Sequence, residues 1–165
     1  MTDSREILSI QNVYKVFGNK PQVAMNMLND GADKDQIFEA TGQTVGVFDA
    51  SFSVNKGEIF VIMGLSGSGK STMVRLLNRL IEPTAGSIKL NGREITGLSD
   101  HELLDVRRKE MSMVFQSFAL MPHMTVLENA AFGLEISGVG EKERHERAAD
   151  ALSQVGLGEH GNSYP

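Results

Sequence analysis

The sequence predicts an α/β domain, and three observations carry the prediction. Apolar runs of strand character alternate with stretches of helical spacing until the last third, which reads as helix only. One run, Ile59 to Met63, is apolar throughout, as in a strand buried on both faces of a sheet. It leads directly into a glycine-rich segment, Gly64 to Gly69, and then into a helical pattern.

The elements follow in order. Leu8 to Phe17 has β-branched character and reads as a strand. Pro21 to Gly42 reads as two short helices broken at Gly31. Val45 to Val54 alternates as a strand does, with a slip near Asp49. After the glycine loop, Ser71 to Leu80 places Met73, Leu76, Leu77 and Leu80 at helical spacing. Asn91-Gly92 suits the tight turn of a β-hairpin that begins at Ser87. Ser99 with Glu102, and Thr125 with Glu128, are capping boxes that open helices. Met111 to Phe115 is a second buried-type strand, and Glu141 to Val155 a charged helix.

Composition narrows the class. With 165 residues, 41% of them hydrophobic and 22% charged, the chain can bury an ordinary core. Its net charge of -5 argues against a nucleic-acid partner, which would call for a basic excess. The absence of cysteine rules out disulfides and thiolate metal sites within this sequence. No stretch approaches the roughly 20 apolar residues that cross a bilayer, so a link to a membrane is expected to run through a protein partner.

Gly64-Leu65-Ser66-Gly67-Ser68-Gly69-Lys70-Ser71 fits G-x-x-x-x-G-K-[ST], the phosphate-binding loop. A triphosphate is a dense anion, so such a loop must aim several backbone N–H groups at one point. Glycine permits the required dihedrals and a close backbone approach. The following helix adds the positive end of its dipole. Lys70 is expected to neutralise the β- and γ-phosphates, the Ser71 hydroxyl to ligate Mg²⁺, and Thr72 to contact the α-phosphate. The loop alone leaves small kinases and GTP-binding switches open. The order of elements helps to separate them, because the loop follows two earlier β segments and an insertion rather than the first strand, and a hairpin follows its helix.

Lys15-Val16-Phe17-Gly18, Gly57-Glu58-Ile59, the loop through Thr72, and Val114 to Asn129 together resemble the nucleotide-binding subunit of ABC transporters. Gly46 to Ser51, the helical insertion before it and Ser117 to Met124 are similar, more narrowly, to the subunit of glycine betaine/L-proline importers. The resemblance implies a P-loop NTPase fold of ABC type, represented in part. It has N-terminal antiparallel β elements, a helical insertion at 19–44 and a portion of the helical subdomain at about 117–165.

It implies functions as well: ATP and Mg²⁺ as ligands, and ATP hydrolysis coupled to uptake of an osmolyte. The implied partners are an integral membrane permease, a second motor subunit and, indirectly, a substrate-binding protein, at the cytoplasmic face of the inner membrane. Phe17 matches the aromatic residue that stacks on adenine, although a strand aromatic can equally be core. Gln116 matches the glutamine that reaches Mg²⁺ or the attacking water, and would act with Lys70 in catalysis. Phe118 to Met124 matches the segment that meets the permease, unless those apolar residues fold back onto the core.

The family's strand ending in Asp-Glu, its later histidine and its Leu-Ser-Gly-Gly signature have no counterpart in these residues. Leu103-Leu104-Asp105 lies in a predicted amphipathic helix, and Ile136 to Gly140 precedes a helix where the signature would follow one. The chain by itself is therefore expected to bind nucleotide weakly and not to hydrolyse it. A standalone nucleotide-binding module and a chain that no longer binds ATP are the alternatives.

Overall fold

A computed structural model describes residues 6–115 and 119–165. The chain forms two compact units, one up to Met111 and one from Ser112 onward. The first holds a four-stranded sheet of β1 (Glu6–Phe17), β2 (Thr44–Asn55), β3 (Ala85–Leu90) and β4 (Arg93–Glu94). The strands lie in the order β2-β1-β3-β4, every neighbour antiparallel. The expected slip in β2 is real. Asp49 has φ 44° and Asn12 of β1 has φ 47°, and the Asn12 Nδ2 donates to Asp49 Oδ1 at 2.8 Å. Asn and Asp are the residues that take this conformation most cheaply. At the β3–β4 turn, Asn91 and Gly92 both have positive φ, as a two-residue hairpin requires.

Between β1 and β2 run α1 (Pro21–Asn29) and α2 (Lys34–Thr41). Pro21 opens α1, where its missing N–H costs nothing. Asp33 and Gln36 form a capping box on α2, and Gly42 ends it in the left-handed region. These helices bury Ala24, Met25 and Ile37 against Val16 and Val45. On the other core cluster, α3 (Lys70–Leu77) sets Met73 and Leu76 against Ile10, Val13, Val47 and Ile88. Then α4 (Asp100–Lys109) begins at the expected Ser99 capping box and ends in three basic residues that suit its dipole.

In the second unit, α5 (Val126–Ile136) packs with α6 (Glu141–Gln154), followed by a single 3₁₀ turn at Gly158–His160. Thr125 and Glu128 form the expected capping box. The first two N–H donors of α5, at Val126 and Leu127, reach the Ser163 and Gly161 carbonyls at 2.8 and 2.9 Å. Among the described residues, no helix is long and apolar enough to cross a membrane.

Two strand expectations fail. Ile59 to Met63 forms no strand of the sheet among the described residues, with Ile59 91%, Val61 64% and Met63 85% exposed. The intervening Phe60 stacks on Phe52 at 4.7 Å, and Ile62 packs on the core. Phe60, still 42% exposed, and Ile62 thus lean on the core, and the run pairs with no strand among the described residues. Met111 to Phe115 likewise forms no strand, and Val114 is 91% exposed. An all-apolar run reports a capacity for two-sided burial, and that capacity is unmet among the described residues. The helix after the glycine loop is also shorter than expected. It stops at Leu77 because Arg79 turns to φ 51°, and the Arg79 guanidinium donates to the Ile95 and Leu98 carbonyls at 2.8 and 2.9 Å.

Candidate functional site

The site is built where the sheet's β1–β2 edge meets the start of α3. Pairing of β1 with β2 sets Phe17 opposite Thr44. Phe17, Thr44, Val45 and Gly46 form one wall of a cleft of about 260 Å³, and Gly67 to Thr72 form the other. Phe17 and the glycine-rich loop, 50 residues apart in sequence, therefore face the same space.

One glycine in each wall sits where an added side chain would collide. A methyl group on Gly46 would lie 2.6 Å from Cε2 of the Phe17 ring. Gly69 has φ 90°, and a methyl group there would collide with the Gly46 carbonyl oxygen. Gly46 thus lies in contact range of both the aromatic ring and the loop. Phe17 is 39% exposed, and the Lys15 ammonium sits 5.2 Å from its ring centre while donating to the Glu82 carbonyl at 2.7 Å. One ring face is supported and the side chain stays open to solvent, as a stacking platform needs.

In the loop, the Lys70 ammonium donates to the carbonyls of Gly64 and Leu65 at 2.8 and 2.6 Å, and lies 3.5 Å from Ser68 Oγ. The lysine bridges the loop's two ends, so its charge is held where an anion would enter. Gly69 precedes α3 and offers no side chain to cap it, and no acidic residue lies in the first turn. The N–H groups there are unclaimed by a capping side chain and their dipole is unopposed, the electrostatic requirement for an anion.

Ser71 and Thr72 line the cleft, whereas Leu65 and Ser66 are exposed and are not part of its wall. Gly64 instead lines a larger cavity of about 560 Å³ with Phe52, Phe60, Met63 and Lys70. Gln116, Ser117 and Phe118 lie outside the described residues. Among the described residues no cluster of His, Cys, Asp or Glu could hold a metal unaided. A lone Ser71 hydroxyl fits Mg²⁺ only when phosphate oxygens and waters supply the rest of the shell. Sequence reasoning missed Thr44, Val45 and Gly46, whose role depends on the pairing register.

Comparison with known proteins agrees with this geometry. A family model described as ABC transporter matches residues 47–165. The chain is 61% identical over 158 residues to the glycine betaine/proline betaine transport system ATP-binding protein ProV of Escherichia coli (strain K12). It is 54% identical over 158 residues to the glycine betaine/carnitine transport ATP-binding protein GbuA of Listeria monocytogenes serotype 1/2a (strain 10403S). Each match takes in 96% of this chain and 40% of the relative, so the chain spans about two fifths of these curated relatives' length. A solved dimeric bacterial ABC transporter cassette, MJ0796, superposes with a TM-score of 0.74 at 28% identity, over 96% of this chain and 62% of that one. The mixed α/β fold with its antiparallel sheet is part of an ABC nucleotide-binding cassette, and the chain belongs to the ABC transporter family.

Proposed function

We propose that the chain is the nucleotide-binding part of the motor subunit of an importer for glycine betaine, proline or related osmolytes. One observation carries the reading. Phe17 and the loop that holds Lys70, Ser71 and Thr72 share a single cleft, with a ring for a base at one end and donors for phosphates at the other. The likeness to ProV supports the class of solute.

In this reading adenine stacks on Phe17. Its triphosphate lies against Gly64 to Thr72, with the N–H groups around α3 as donors. Lys70 exchanges its two carbonyl partners for phosphate oxygens, so the loop is pre-folded and the exchange costs little reorganisation. Ser71 would hold Mg²⁺ together with the phosphates, and a bound ion there would supply neutralisation of the charge on the β- and γ-phosphates. Gln116 would report the γ-phosphate to the segment from Phe118 to Met124, which docks on an integral membrane permease at the cytoplasmic face. A second motor subunit would complete the ATP sandwich, and a substrate-binding protein would deliver the solute. Alone, residues 1–165 bind nucleotide without turning it over, because an acid or base beside the γ-phosphate is also needed.

Uptake of labelled glycine betaine tests the reading, in cells whose only such motor is the full-length protein. Uptake after osmotic upshift, abolished by Lys70→Ala, is expected. Uptake indifferent to Lys70, or confined to solutes unrelated to quaternary amines and proline, would overturn it.

A further inference from the structure

In the second unit, most hydrogen bonds of the Asn129 side chain serve the loop before its helix and not the helix itself. Met121 to Met124 is a tight turn with Pro122 at its second position, closed by the Met124 N–H on the Met121 carbonyl at 3.1 Å. Asn129, in the first turns of α5, grips this turn from inside. Its Oδ1 accepts from the Met121 N–H at 2.8 Å, and its Nδ2 lies 3.0 Å from each of the Met121, Met124 and Thr125 carbonyls. The first turn of α5 does not need this amide. Its donors go to Ser163, Gly161 and the Thr125 hydroxyl. Held in this way, the loop keeps Leu120 53% exposed, and Pro122 and His123 in solvent.

We infer that Asn129 is a positioning residue that sets the shape of loop 120–124 for contact with the permease. The inference rests on the proposed docking role of that loop. An amide is specifically suited to the task. It donates and accepts at once, whereas a carboxylate would set its charge against three carbonyl oxygens and offer no donor. The residues that line the nucleotide cleft all belong to the first unit, so loss of Asn129 should separate coupling from nucleotide affinity.

The test uses the full-length protein assembled with its permease, in a thiol-free background carrying a nitroxide on His123→Cys. Asn129→Asp should mobilise the nitroxide and lower permease-stimulated ATP hydrolysis by about tenfold or more, while the ATP dissociation constant stays within about twofold. Asn129→Ala serves as a second variant should the first fail to assemble. A nitroxide that stays immobile, or full coupling with a mobile loop, would overturn the inference. Leu120→Glu separates the two levels. If it breaks the permease contact while Asn129→Asp leaves coupling intact, only the positioning role falls. If it leaves the contact intact, the docking reading falls and the inference with it.

Discussion

Replacing Gly46 by alanine should damage nucleotide binding while sparing the fold, and the size of each effect can be worked from the cleft. The new methyl group would lie 2.6 Å from Cε2 and 3.2 Å from Cδ2 of Phe17. The ring must move by about an ångström to regain van der Waals separation. It is free to do so, since Phe17 is 39% exposed and the neighbour that must yield is a side chain. Swinging an aromatic side chain off its preferred rotamer costs roughly 0.5–1.5 kcal/mol, so the melting temperature should fall only modestly. A displaced ring no longer meets the base, and stacking is worth about 1–3 kcal/mol, or roughly 5- to 150-fold in affinity. Calorimetric titration of Mg-ATP into the wild type, Gly46→Ala, Phe17→Ala and the double variant gives the coupling directly. The loss caused by Gly46→Ala should vanish when Phe17 is already alanine. An equal loss in both backgrounds, or no loss in the wild type, would refute the claim that Gly46 acts through the ring.

Two further predictions concern the sheet that carries the cleft. Glu94 sits against β3, where burial works to raise its carboxyl pKa. Hydrogen bonds from the Ser87 and Thr96 hydroxyls and from the Thr96 and Ile88 N–H groups outweigh this, and hold it below the ordinary 4.5. A carboxylate with a lowered folded pKa stabilises the fold fully above 4.5 and loses that contribution as pH falls through the folded value. Urea midpoints of wild type and Glu94→Gln should therefore differ near neutrality and converge as pH drops below that window. Gly86→Ala should be severely destabilising by the same measurement, by about 2–5 kcal/mol. Gly86 has φ 96°, and its methyl group would strike the Asn12 carbonyl and come within 2.6 Å of the Val13 Cα, backbone that cannot step aside.

Local chemistry made much of this molecule legible in advance. Capping boxes at Ser99 and Thr125, the Asn91-Gly92 turn and the break at Gly31 are each decided by a few neighbouring residues, and the structure follows them. The β2 slip was visible because a single residue out of phase moves every later side chain to the other face. The glycine-rich loop leading into α3 is legible in the same way, since its glycines and lysine act within a short stretch of chain. What depended on distant residues was not. Thr44 to Gly46 join the cleft through pairing with β1, and α3 ends early because Arg79 finds its partners at Ile95 and Leu98. Ile59 to Met63 has two apolar faces, but what covers a face is a property of the surroundings and not of the run.

The central claim is that the cleft between Phe17 and residues 67–72 holds a nucleotide through the charge of Lys70. An ammonium about 4 Å from a phosphate is worth on the order of 4 kcal/mol at the effective dielectric of a protein surface. Lys70 gives up carbonyl partners at 2.8 and 2.6 Å to gain it, so the net should be nearer 2–3 kcal/mol, or about 30- to 150-fold. The decisive measurement is the Mg-ATP dissociation constant of the protein beside that of its Lys70→Ala variant, at matched salt. A loss of roughly that size, with the fold intact, is the result predicted. An unchanged constant in a folded variant would contradict it.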